Sequence, residues 1–441
     1  MRGITVKMAA VLVMIVAVGL IAGAASAQAF PPGLFPTSTP AGAEPTPTFP
    51  ATGPTQTPAG PGPTPTFPAA GPTPAQAGEA AITSGTGDKE FPAISGDLVV
   101  WYDNNTMSVG IYDASTGRTL PPPNGTYVVG GMRQIDVSGN TAVWTGLNAT
   151  TMTTDIYLYD IASGRLGQIT NDEEIQMWPS ISGNLVCWNR IDFNTGMGEV
   201  YWQDTDVGGT APLLLANETY NQLYPVVGGD TVAWLDDGEV GGRLDLAWAS
   251  ISSGQSMRAS SQNNITSPPA VSSDGSRIVW VAESNTSFVV NLLDVGTMNI
   301  EQISGEGALA IAPVVDGNYV VWTDYRNGNG DIYLYDIRSG QERQVTSSSA
   351  EQAFPDISGD RIVWMGNDDG PWNIYLGSVG AGPQPTAGPS PVATSGPVYP
   401  AGQPTYGPVY PTGEPTGNPT EEPTWYPTEE PTYWYPTEDR Y

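Results

Sequence analysis

The chain has 441 residues, with 45 acidic against 15 basic side chains, 53 glycines, 42 prolines, one cysteine and no histidine. Without histidine there is no Ser-His-Asp triad, no imidazole metal site and no histidine acid-base pair, and a single Cys187 excludes an internal disulfide. A net charge of −30 with only two lysines, Lys7 and Lys89, excludes a phosphate-binding surface and so a nucleic-acid partner.

The N-terminus places Arg2 and Lys7 before an uncharged, mostly apolar run from Met8 to Ala25, then Ala25-Ser26-Ala27. This order of charge, apolar run and small-residue site predicts a secretory signal over residues 1–27 and export to the cell surface or the medium. The competing reading is an uncleaved anchor, because 18 apolar residues sit at the lower edge of a membrane span; once the signal is cleaved, no span is expected. Residues 28–78 then alternate Pro and Thr, as in Pro45-Thr46-Pro47-Thr48. Such a stretch buries too little apolar surface to offset its ordering entropy, so an extended Pro/Thr-rich linker is expected.

From residue 79 onward a Gly stands five positions before a Trp seven times: Gly96 and Trp101, Gly139 and Trp144, Gly183 and Trp188, Gly229 and Trp234, Gly275 and Trp280, Gly317 and Trp322, Gly359 and Trp364. Successive Trp residues are 42 to 46 positions apart. In five copies a Pro also precedes the Gly by four: Pro92, Pro179, Pro225, Pro313 and Pro355. Each unit reads as four short strands. An apolar pair such as Ala93-Ile94 leads to Ser95-Gly96-Asp97, a tight turn in which Gly supplies positive φ, and then to Leu98-Val99-Val100-Trp101. The third strand is clearest in Asp155-Ile156-Tyr157-Leu158-Tyr159-Asp160 and Asp331-Ile332-Tyr333-Leu334-Tyr335-Asp336, and the fourth ends in Thr170 or Thr346. Four strands in this length make one propeller blade, and seven blades close a ring. The seventh unit has Asn373-Ile374-Tyr375-Leu376 but no strand after it. Ala81-Ile82-Thr83 precedes the first unit, with Thr83 nine residues before Pro92, the interval that also separates Thr170 from Pro179 and Thr346 from Pro355. The expected fold is therefore all-β: a seven-bladed β-propeller over 79–382, its last blade completed by an N-terminal strand, flanked by disordered Pro/Thr-rich arms.

The tail, 383–441, is Pro/Thr-rich with Tyr, Trp and Glu, and it repeats Gly-Pro-Val-Tyr-Pro at Gly396 and Gly407. It carries no hydrophobic terminal segment, so neither a membrane helix nor a lipid-anchor signal is expected there.

The units resemble TolB-type (PD40, WD40-like) propeller repeats. The closest copy runs from Pro313 to Thr346 and contains Trp322-Thr323-Asp324-Tyr325-Arg326-Asn327-Gly328-Asn329-Gly330-Asp331-Ile332-Tyr333. Repeats of this kind are similar to those of exported proteins, archaeal cell-surface proteins among them. The third to fifth units depart from the Ile-Tyr-x-x-Asp part of the pattern. The N-terminal α/β domain of TolB is not found, so TolB's role is not implied.

The seven Trp residues are expected between adjacent blades, and Cys187 as a small buried hydrophobe. The residue before the Pro is aromatic in four units, Phe91, Trp178, Tyr224 and Phe354. These side chains either ring one mouth of the central channel, where they would stack on a sugar or peptide, or pack beneath the loops. Asp324, Asn327, Asn329 and Asp331 carry the oxygen donors that calcium takes, without the spacing of an EF-hand loop. No cofactor is otherwise expected. Six sequons, at Asn104, Asn124, Asn148, Asn217, Asn264 and Asn285, are glycosylation candidates.

Signal, arms, repeat and missing histidine together point to an exported, non-enzymatic surface or secreted protein. Its propeller, expected to be monomeric, would bind a protein or a cell-wall glycan or serve a structural role. The alternatives are a carbohydrate-active enzyme built on Asp/Glu pairs and a TolB-like envelope complex subunit. Propeller lyases that depend on histidine and a metal are disfavoured.

Overall fold

The computed structural model describes residues 79–380 apart from short stretches at 124–126, 149–150, 193, 207–211, 216–219, 238–242, 260–263, 306 and 369. The signal segment, both arms, Asn124 and Asn217 lie outside the described residues.

The Trp-bearing strand of each unit is a continuous apolar run because both of its faces are covered. In Leu98–Asp103, Val99 and Val100 have no exposure and Trp101 only 4%. A strand buried on both sides needs a sheet on each side, and that is what repetition supplies. Seven antiparallel sheets form, running in chain order from an inner to an outer strand except in the seventh, whose outer strand comes from the N-terminal side of the first blade. Among the described residues there is no helix. The first blade is Lys89–Ser95, Leu98–Asp103, Ser108–Asp113 and Arg118–Leu120. The sixth, Ala310–Asp316, Tyr319–Asp324, Asp331–Asp336 and Gln341–Gln344, repeats it.

Each Trp packs on the blade before its own. Trp144 lies against Val100, Val109 and Ile111 of the first blade, and Trp101 against Val363 and Met365 of the seventh. Where the facing residue of the third strand is Tyr, the rings stack: Trp144 on Tyr157, Trp188 on Tyr201, Trp322 on Tyr333 and Trp364 on Tyr375. Five of the indole N–H groups, including those of Trp101 and Trp144, are buried without a partner, so apolar burial and ring stacking hold these side chains in place.

Ring closure follows the sequence expectation. Ala80 and Ala81 pair with Leu376 and Tyr375 as the outermost strand of the seventh blade. The Ile82 N–H donates to the Ile374 carbonyl, and the Ile374 N–H donates to the Thr83 hydroxyl at 2.8 Å. Thr170 and Thr346 take the N–H groups of Ile156 and Ile332 in the same way, which is why the outer strand ends in Thr.

The Ser-Gly turns do more than reverse the chain. The hydroxyl of Ser95 accepts the Gly139 N–H of the next blade, Ser138 that of Gly183, Ser182 that of Gly229, and Ser358 that of Gly96, all at 2.9–3.0 Å. Asp316 serves the same purpose for Gly359. A belt of side-chain-to-backbone bonds therefore ties neighbouring blades together at one end of the ring. The sequence reading, which took these residues as turn formers only, did not anticipate it.

The channel mouth as candidate functional site

At the other end of the inner strands, five blades share one irregularity. The pairing register shifts between Glu90 and Ala93, Met177 and Ser180, Leu223 and Val226, Ile311 and Val314, and Ala353 and Asp356. Each shift contains the residue before the Pro, held in the left-handed region: Phe91 at φ 53°, Trp178 at 54°, Tyr224 at 53°, Ala312 at 48° and Phe354 at 51°. Proline cannot donate to the ladder, so the strand bulges there and turns the preceding side chain out of the sheet.

The four aromatics come together as two pairs. Phe91 meets Phe354 edge-on across the junction of the first and seventh blades, with ring centroids 5.0 Å apart. Trp178 lies against Tyr224 at 4.2 Å. Phe91 and Phe354 line the central cavity, whose volume is about 110 Å3, and Tyr224 and Phe354 line a smaller recess beside it. Trp178 does not reach either: it is 3% exposed and packed with Ile175, Met177 and Ile191. Three of the four expected residues thus face the mouth, and Trp178 takes the packing role.

The second blade breaks the rule. Its inner strand has Ile135 where five others have Pro, and it is split into Tyr127–Val128 and Ile135–Ser138, which both pair with Thr141–Leu147. Residues 129–134 pass opposite Thr145 alone, which accepts the Val129 N–H and donates its own to the Gln134 carbonyl. The surplus backbone projects into the channel and carries Met132 and Arg133 there, with Arg133 at φ 58°. Sequence reasoning missed this loop. The absent Pro and the Gly130-Gly131 pair mark it in retrospect, whereas the 43-residue spacing from Trp101 to Trp144 hides it.

Two carboxylates, Asp136 and Asp356, line the central cavity with Phe91 and Phe354. Asp356 accepts the N–H of Ile94 in the first blade and of Ile357 in its own. Asp136 accepts the N–H groups of Ile181 and Val137 and the hydroxyl of Ser180. Ser180 in turn accepts the Val227 N–H, so the chain of bonds spans three blades. Burial, reinforced by the charge of Asp136, pushes the Asp356 carboxyl up to about 7. Burial also raises Asp136 and lowers Arg133, and it pushes the Tyr224 hydroxyl up to about 12.

The remaining candidates are dispersed. Asp324 is fully buried and paired with Arg326, with its oxygens also taken by the Trp322 indole and the Leu309 N–H. Asn329 donates to the carbonyls of Ser348 and Ala350, while Asn327 and Gln344 donate to Asp331. Arg326 and the amides of Asn327 and Gln344 take Asp324 and one oxygen of Asp331, while the other Asp331 oxygen and the Tyr325 hydroxyl are buried without a partner; no group of three or more acidic or thiol side chains suited to a metal occurs among the described residues. Asn104 and Asn285 are exposed and Asn264 half-buried, but the Asn148 amide is buried and donates to Asp155 and Asn171, so a glycan there would have to displace those bonds. Cys187 is fully buried, and burial raises its thiol pKa.

No family model and no curated protein matches the sequence. Solved propellers share the fold. An oligogalacturonate lyase in complex with manganese superposes with a TM-score of 0.53 at 12% identity, over 69% of this chain and 94% of the lyase. The β-propeller domain of the Trilobed protease from Pyrococcus furiosus, described with an open velcro topology, gives 0.51 at 10% identity over 66% and 95%. The acylaminoacyl peptidase of Pyrococcus horikoshii gives 0.51 at 13% identity over 66% of this chain but only 51% of its own length. At these identities the likeness establishes the fold alone, which agrees with the TolB-type propeller that the repeat resembles.

Proposed function

We propose that the chain is an exported, non-enzymatic binding protein whose propeller takes a protein or glycan ligand at the channel mouth. The observation that carries this reading is the half-exposed aromatic rim. Phe91, Tyr224 and Phe354 are held at left-handed backbone angles, each at a cost of about 1–3 kcal/mol. A strain repeated in several blades, turning Phe91 and Phe354 toward the central cavity and Tyr224 toward the recess beside it, fits a surface selected for contact.

The chemistry around the rim fits binding better than turnover. The carboxylates nearest to it, Asp136 and Asp356, have both oxygens engaged by N–H or hydroxyl donors, which suits positioning rather than proton transfer. The chain has no histidine to act as a base. Apolar signal, Pro/Thr-rich arms and acidic surface support export and display. The enzymes among the solved neighbours share only the fold, and fold alone does not transfer an activity.

The full chain should bind at least one ligand class saturably in a panel of peptides and glycans, without product by mass spectrometry. Phe354→Ala and Tyr224→Ala should each weaken that binding about tenfold, roughly the loss of one stacked aromatic contact. Turnover on any panel member would sink the reading.

A further inference from the structure

One charged group in the channel has no assigned work. Arg133 is half-buried in the central cavity, yet among the described residues its guanidinium makes no hydrogen bond and no ion pair. The other arginines of comparable burial are spent: Arg326 on Asp324 and Glu342, and Arg258 on Asp236. A guanidinium that lines a cavity with its N–H donors unclaimed by other side chains is free to take a ligand's acceptors, and the loop that carries it there is found in this blade alone among the seven sheets.

The surroundings narrow what that partner is. Asp136 and Asp356 lie in the same cavity but are occupied by N–H and hydroxyl donors from the neighbouring blades. Their residual negative charge disfavours a dianion such as phosphate twice over, while a single planar carboxylate matches the guanidinium fork and carries one charge. Phe91 and Phe354 line the same cavity as Arg133 and Tyr224 the recess beside it, so the part of the ligand next to its carboxylate is apolar or cyclic. A cavity of about 110 Å3 takes the end of a molecule rather than a chain in passage.

We propose that the channel mouth binds an organic monocarboxylate, its carboxylate on the fork of Arg133 and its ring or alkyl body against Phe91, Phe354 and Tyr224. This assignment rests on the reading of the mouth as the binding face, and it adds the charge and shape of what binds.

The test is calorimetric titration of the full chain with phenylacetate, phenylacetamide and inorganic phosphate. Phenylacetate should bind at least about tenfold more tightly than its neutral amide, the usual margin of a charge-assisted bidentate contact, and phosphate should not saturate. Arg133→Gln should reduce phenylacetate to the affinity of the amide while the variant still melts cooperatively, since the side chain makes no hydrogen bond among the described residues and only its charge faces Asp136 and Asp356. Should Arg133→Gln fold poorly, Arg133→Lys keeps the charge without the fork and should bind phenylacetate more weakly than the parent. Phosphate binding as tight as phenylacetate, or phenylacetate affinity indifferent to both substitutions, would overturn the assignment. Equal binding of phenylacetate and phenylacetamide, weakened together by Phe354→Ala, would overturn it while leaving the mouth as the binding face. Binding of neither compound, together with a silent peptide and glycan panel, would remove both.

Discussion

Ala312 isolates what the left-handed residues at the mouth cost. It occupies the same bulge as Phe91, Tyr224 and Phe354, at φ 48°, but brings only a methyl group to the cavity. An L-residue in that region costs about 1–2 kcal/mol that glycine does not pay, so Ala312→Gly should stabilise the fold by about 1 kcal/mol in urea titration. Phe354→Gly relieves the same strain but loses the edge contact with Phe91, so it should destabilise instead. Gly110 poses the opposite problem. It faces Trp101 across the ladder, where four other blades place a Tyr opposite their Trp, and a Cβ there would lie 2.1 Å from the indole ring. Trp101 is 4% exposed and packed against the seventh blade, so it cannot retreat. Gly110→Ala should cost about 3 kcal/mol, at the upper end of overpacking, read from the shift of the urea midpoint.

At the scale of the strand, closure depends on a short pairing. Only Ala80 and Ala81 enter the ladder, extended by the Ile82 N–H and the Thr83 hydroxyl. Thr83→Ala leaves the Ile374 N–H without its acceptor and should cost about 1–3 kcal/mol. Deleting residues 79–84 should lower the melting temperature far more, because the strand Asn373–Ser378 then presents an open edge; an unchanged melting temperature would mean that the ring holds without its outer strand. This closure was legible in the sequence because Thr83, Thr170 and Thr346 sit at one interval from a Pro, and the blades were legible because Gly and Trp recur in register. Repetition exposes what every blade shares. It conceals what one blade does alone, such as the split inner strand that carries Arg133, and it says nothing of partners across blades, such as Ser95 with Gly139. The fate of the acidic loop from Asp324 to Asp331 was hidden for a related reason: Arg326 stands beside Asp324 in the chain, but only the fold decides that it turns back onto Asp324 and Glu342 rather than out to solvent.

Across the whole molecule the carboxylates fall into two groups with opposite pH behaviour. Turn aspartates are held below the ordinary carboxylate range by hydrogen bonds to the folded turn, Asp113 from Ser115 and Thr116, Asp160 from Ser163, and Asp192 and Asp294 from Thr195 and Thr297. Their contribution is present above the unfolded carboxylate pKa and is lost as pH falls through the depressed folded values. The interior carboxylates are displaced the other way, chiefly by burial: Asp356 to about 7, Asp331 to about 6, with Asp136 and Asp155 also raised. A group that holds its proton in the folded chain and has released it in the unfolded one stabilises the fold at acidic pH, and that stability drains away as pH rises toward the folded value. The net charge of −30 acts in the same sense, since its self-repulsion eases as carboxylates protonate. Stability should therefore peak near pH 4, fall between about pH 4 and 7 and level off above, where a protein governed by its surface turns alone would hold a plateau from about pH 4. Thermal melts of the full chain across that range give the profile. Asp356→Asn removes the titration while keeping one acceptor for the Ile94 N–H, so it should flatten the decline between about pH 4 and 7, the window between the ordinary carboxylate value and the folded value of about 7. A profile that climbs steadily to pH 8, or an Asp356→Asn variant with an undiminished decline, would show that the channel carboxylate does not control it.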